Sequence, residues 1–88
     1  MALSELSPER RRELAVPDAL RGGVLVTDVE AGSPASRAGL RSGDVVLEVN
    51  REKVESVARF RELYSKTTGR VLMLIFREGS TLFVVGRR

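Results

Sequence analysis

Short apolar runs separated by glycine- and proline-marked turns organise this chain, and their periods distinguish strand from helix. Val24 to Val29 (VLVTDV) is rich in β-branched residues and reads as a strand. Val45 to Val49 (VVLEV) reads as a buried strand, and Arg70 to Phe76 (RVLMLIF) as a continuous apolar one. After Ser56 the period changes. Val57, Phe60, Leu63 and Tyr64 recur at three- and four-residue spacing, which predicts an amphipathic helix over Val57 to Lys66, capped by Ser56, with one side on the sheet. Met1 to Leu6 alternates loosely, with Met1 and Leu3 against Ala2 and Ser4, as an edge strand does.

Turn and cap chemistry fills the gaps. Ser7-Pro8-Glu9 supplies an N-cap, a proline at the first helical position and an acid near the positive helix end, starting a helix of about two turns through Leu14 that Pro17 stops. Asp18 to Gly23 is a loop. Ala31 to Asn50 (AGSPASRAGLRSGDVVLEVN) fixes a backbone path: Ser33 caps a very short helix beginning at Pro34, Gly39 ends it in the left-handed region, and Leu40 packs back. The turn Arg41-Ser42-Gly43-Asp44 leads into Val45, with the Asp44 side chain expected to cap backbone N–H groups. Arg51 to Val54 is a short turn and strand piece. Glu78-Gly79 reads as a tight hairpin turn, and Thr81 to Val85 as its return strand. The sum is a single α+β domain over residues 1–88. Five or six short strands form a small, partly open barrel or sandwich, capped by two or three short helices.

Composition narrows the function. The chain has neither cysteine nor histidine, so disulfides, thiolate chemistry, the usual general bases and the common transition-metal ligand sets are excluded. No catalytic, metal or cofactor site is expected. Asp28, Asp44 and Glu48 are the acids nearest the barrel, and they form no catalytic pair by pattern. The net charge of +3 comes from arginines spread over nearly every segment, with 5% aromatic residues, most of which read as core. A nucleic-acid face needs its charge focused and interleaved with exposed rings, so the basic excess reads as a solvated surface. Arg10-Arg11-Arg12 is placed on the wet side of its helix. No apolar run approaches the roughly 20 residues that span a bilayer. With no basic-then-apolar leader at the start, the chain reads as a piece of a longer protein.

The run from Ala31 to Asn50 resembles the middle of a PDZ domain, where a small helix plugs one end of a partly open barrel and the next strand begins with Gly-Asp. Four stretches resemble the circularly permuted PDZ domains of bacterial HtrA (Deg) serine proteases: LSPERRREL, GGVLVTDVEAGSPASRAGL, SGDVVLEVNREKVESVARFREL and IFREGSTLFVV. In that arrangement the last strand, here Thr81 to Val85, takes the place of the first strand of animal signalling PDZ domains. Site-two proteases, tail-specific proteases and secretion proteins carry similar domains.

The resemblance implies a non-catalytic domain that binds C-terminal peptides or unfolded protein segments by strand addition. It would present them to, or regulate, a protease domain upstream in the same chain, in the periplasm or cell envelope of a bacterium. A homo-oligomer would form through that parent protein. Mapped here, Met1, Ala2, Leu3, Ser4 and Glu5 are the receiving edge strand and Val57 to Lys66 the facing helix. If Phe60 and Leu63 point inward, Val57, Arg61 and Tyr64 turn to the groove and set selectivity. Met1, Leu3, Val57 and Tyr64 would line the pocket for the terminal side chain. Met1 aligns with the last apolar position of the carboxylate-catching loop, whose preceding glycine is not in this sequence. Either upstream residues complete that loop, or the carboxylate site is incomplete. The alternative function is a structural or assembly PDZ domain with an unused groove.

Overall fold

The computed structural model describes residues 1–87. Among them, six strands form one antiparallel sheet: β1 (Ala2–Glu5), β2 (Val24–Asp28), β3 (Val45–Val49), β4 (Glu52–Lys53), β5 (Arg70–Arg77) and β6 (Ser80–Arg87). Helices α1 (Pro8–Glu13), α2 (Pro34–Ala38) and α3 (Val57–Lys66) lie in the connections. The spatial order is β1-β2-β3-β5-β6, with β4 paired to β3 off this path. The sheet stays open rather than closing into a barrel, because among the described residues β1 pairs only with β2 and β6 only with β5.

Local sequence signals set the element ends. Ser33 Oγ accepts the Ser36 N–H at 3.2 Å, and Gly39 ends α2 at φ 98°, a left-handed conformation that costs glycine nothing. Ser56 Oγ accepts the Arg59 N–H at 3.1 Å and starts α3 in the same way. Both two-residue hairpins, Asn50-Arg51 and Glu78-Gly79, have positive φ at both positions, the geometry whose twist matches the flanking strands. Helix α1 closes with Ala15 at φ 56° and the Val16 N–H on Arg11 O at 2.9 Å, a Schellman-type end made without glycine.

Two apolar layers cover the sheet. On one face Val24, Val26, Val46, Val49, Val71, Met73 and Ile75 pack under Phe60 and Leu63 of α3 and Leu40 after α2. On the other, Leu25, Val45, Leu47 and Phe76 pack under Val16 and the half-buried Leu6, Leu14 and Leu20 around α1. Val45 to Leu47 are covered on both faces, which is why that run is apolar throughout, whereas β5 alternates in burial, with Val71, Met73 and Ile75 buried and Leu72 and Leu74 half-buried on the opposite face. A register irregularity between Val46 and Glu48 in the β3–β5 pairing coincides with Leu47 O accepting the Val54 N–H at 3.0 Å.

Three local expectations need correction. Arg11 does not lie on a wet face: it folds back and donates to the carbonyls of Gly22 at 2.6 Å, Leu20 at 2.5 Å and Pro17 at 3.3 Å, satisfying a loop that lacks its own ladder. Strand β6 runs past Val85 to Arg87, because it pairs with the whole of β5 from Arg77 back to Arg70. Strand β2 ends at Asp28, leaving Val29 outside it but packed against the larger core.

Candidate functional site

Strand β1 is the edge strand that the alternation of Met1 to Leu6 predicts. It runs antiparallel to β2 with Leu3 opposite Val26, Ser4 opposite Leu25 and Glu5 opposite Val24, and among the described residues its other side carries no strand. Its unpaired N–H and C=O groups are therefore available to a further strand. Helix α3 packs Phe60 and Leu63 into the core at 3% and 5% exposure. That fixes the rotation of the helix, leaving Val57 and Tyr64 half-buried against the same core and Arg61 exposed. The rings of Phe60 and Tyr64 stack at 5.7 Å between centroids and 13° between planes, which holds Tyr64 in place.

At the Met1 end lies an apolar depression. Met1 and Tyr64 form part of its wall, and Ala35, Ala38, Val71 and Met73 are the main apolar groups of the rest. Its free volume is only about 20 Å³, close to the room one water needs. Leu3 and Val57 do not line this depression; they pack against the larger core beside it. At the opposite end of β1, Glu5 Oε1 accepts the Val57 N–H at 3.1 Å, so the strand and the first turn of α3 are joined there. Ala2 is exposed and Ser4 half-buried. Arg61 has no ion pair among the described residues, whereas its neighbour Arg59 pairs with Glu52 and Glu62.

A family model described as "PDZ domain" matches residues 25–78, more than half of the chain. The chain belongs to the PDZ domain family. This PDZ domain is 36% identical over 84 residues to a probable periplasmic serine endoprotease DegP-like of Chlamydia muridarum, covering 94% of the chain and 17% of that protein. It is 37% identical over 81 residues to the serine protease Do-like HtrA of Lactococcus lactis subsp. cremoris, covering 90% of the chain and 20% of that protein. The chain thus spans about a fifth or less of the curated relatives it matches. Among solved structures, the HtrA3 PDZ domain bound to a phage-derived ligand (FGRWV) superposes with a TM-score of 0.83 at 21% identity, over 99% of this chain and 79% of that one. The HtrA-type protease AlgWS227A with decapeptide gives 0.78 at 23% identity, over 98% and 26%. These two establish the fold.

Two features of the PDZ domain escaped sequence reasoning. The Glu5–Val57 contact joins residues 52 positions apart, and no local pattern announces it. The floor of the apolar depression comes from α2 and β5, elements that read as core or plug. The small residues Ala35 and Ala38 were the available signal, since a helix that packs closely yet leaves a hollow needs short side chains on that face.

Proposed function

We propose that this PDZ domain takes an extended peptide tail as an added antiparallel strand on β1, with α3 as the opposite wall. It would do so as the non-catalytic arm of a periplasmic serine endoprotease of the HtrA/Deg type. The observation that supports this most is the open side of β1 beside α3. Main-chain hydrogen bonds along Ala2 to Glu5 supply affinity that is nearly blind to sequence, and alternate side chains supply preference. The terminal residue points toward the Met1–Tyr64 depression, where burying a Val or Leu contributes about 1.5–3 kcal/mol. Met1 is 42% exposed at the rim and unbranched, so it is the group that moves to make room. Val57 and Arg61 face residues farther back, Arg61 favouring an acidic or polar one. The periplasmic assignment rests on the names of the relatives; presentation of tails to an upstream protease domain, or relay of occupancy to it, extends them to the whole protein.

The small volume of the depression favours a second reading, an assembly domain whose groove stays empty. A titration of the isotope-labelled chain with short peptides ending in Val or Leu separates them. Amide signals of Leu3, Val57, Arg61 and Tyr64 that move in a saturable way support peptide binding; signals that stay fixed leave the assembly reading.

A further inference from the structure

The molecule has a second open edge on the far side of the sheet. Strand β6 is eight residues long, pairs only with β5 among the described residues, and carries no proline or lysine to protect it. Soluble proteins usually blunt such an edge. Instead Phe83 is 55% and Val85 45% exposed, and they stand opposite the half-buried Leu74 and Leu72 on one face of the β-hairpin.

The charge along this edge is polar end to end. Glu78 sits at the turn that opens β6, and the nearby Arg77 is already neutralised by Asp44. At the other end are Arg87, its register partner Arg70, and Arg37 of α2, none with an ion pair among the described residues. Arg37 and Arg87 flank a hollow of about 320 Å³ that Pro34, Ala38, Val85 and Gly86 complete. Glu78 shares its end with Arg41, so the complementarity lies between Glu78 itself and the arginines at the other end, which meet when two copies run antiparallel.

We propose that β6 is a self-association surface, pairing antiparallel with β6 of a second copy about a two-fold axis at Phe83. Opposed residues in such a pair share a face, so the register must match like parity. Centred on Phe83, it sets the two phenyl rings side by side and places Leu82 opposite Val84 and Thr81 opposite Val85. The Glu78-Gly79 turn of each copy then reaches Arg87 and the Arg37 hollow of the other. Cross-strand aromatic and opposite-charge pairs of this kind are each favourable. One shared edge buries less than a standard stable interface, so the dimer is weak, with Kd between about 10 μM and about 1 mM. The contact lies away from β1 and α3 and does not depend on peptide binding.

Sedimentation equilibrium of the 88-residue chain over that concentration range tests it. A monomer–dimer equilibrium is expected, and Phe83→Glu abolishes it. Glu78→Arg and Arg87→Glu each raise Kd by roughly three- to tenfold, while the double swap restores it, since only the swap recreates opposite charges across the axis. Circular dichroism of each variant verifies that the fold is kept. A chain that stays monomeric throughout, or a dimer whose Kd ignores Phe83→Glu and both charge reversals, overturns the proposal.

Discussion

Arg77 and Asp44 meet as a forked ion pair: Arg77 Nε donates to Oδ1 at 2.8 Å and Nη2 to Oδ2 at 2.6 Å. The Asp44 side chain is 2% exposed and that of Arg77 18%. Asp44 Oδ2 also accepts the Arg41 N–H at 2.8 Å, and Arg77 Nη2 donates to Gly39 O at 2.7 Å. The pair therefore ties the end of β5 to the exit of α2 and the turn that starts β3. Removing one partner of a buried pair strands the other, so Asp44→Ala is expected to cost about 2–4 kcal/mol, below the fully buried limit because Arg77 reaches solvent. Urea denaturation measures it. The double variant Asp44→Ala, Arg77→Ala should lose less than the sum of the singles.

The hydrogen bond that Arg77 donates to Asp44 raises the Arg77 pKa above its ordinary value, with burial opposing and the Asp44 and Glu78 charges assisting. A raised pKa in the folded state stabilises fully below the unfolded value and is lost only as pH rises through the folded one. This contribution is accordingly flat around neutrality. Denaturation midpoints of the Asp44→Ala variant and the parent should keep a constant gap from pH 7 to about pH 9 as far as Arg77 is concerned.

Gly23 and Ala15 predict opposite responses to exchanging glycine and alanine. Gly23 has φ 104°, and a Cβ there would stand 2.7 Å from Val45 Cγ1, so Gly23→Ala should destabilise by about 2–3 kcal/mol. Ala15 is exposed with φ 56° at the end of α1, and Ala15→Gly should stabilise by about 0.5–1 kcal/mol. Thermal unfolding followed by circular dichroism reads both signs.

What the sequence discloses and what it hides divides along chain separation. Ser33, Pro34 and Gly39 delimit α2 because a cap, a fixed φ and a left-handed residue act within one turn. Phe60 and Leu63 reveal the buried side of α3 through spacing alone, and from it the outward turn of Arg61. The Asp44 side chain was legible as a turn cap, through Arg41, but its larger role with Arg77 was not, since 33 positions separate the two. Arg11 misled for a related reason: its run of three arginines reads as solvated, yet the loop at Pro17 to Gly22 has carbonyls without a ladder and draws one guanidinium inward. Phe83 and Val85 look like core by composition; their exposure follows from β6 being an edge whose outer face α1 does not reach.

Arg61 gives the most specific expectation about preference. Peptides ending in the same apolar residue but carrying an acid or a neutral residue a few positions back should differ, the acidic one binding more tightly. Arg61→Glu should reverse that order, with changes of about two- to fivefold because an exposed pair contributes little. Isothermal titration of both peptides against both proteins decides it; an order unchanged by Arg61→Glu removes Arg61 from the site.

Amide hydrogen exchange along β1 tests strand addition most directly. Alternate amides of Ala2 to Glu5 face away from β2 and are expected to exchange fast without peptide; a saturating peptide ending in Val or Leu should slow them at least about tenfold while the exchange of β6 amides stays unchanged. Protection that appears on β6 instead, or β1 amides that exchange equally fast at saturation, would contradict it.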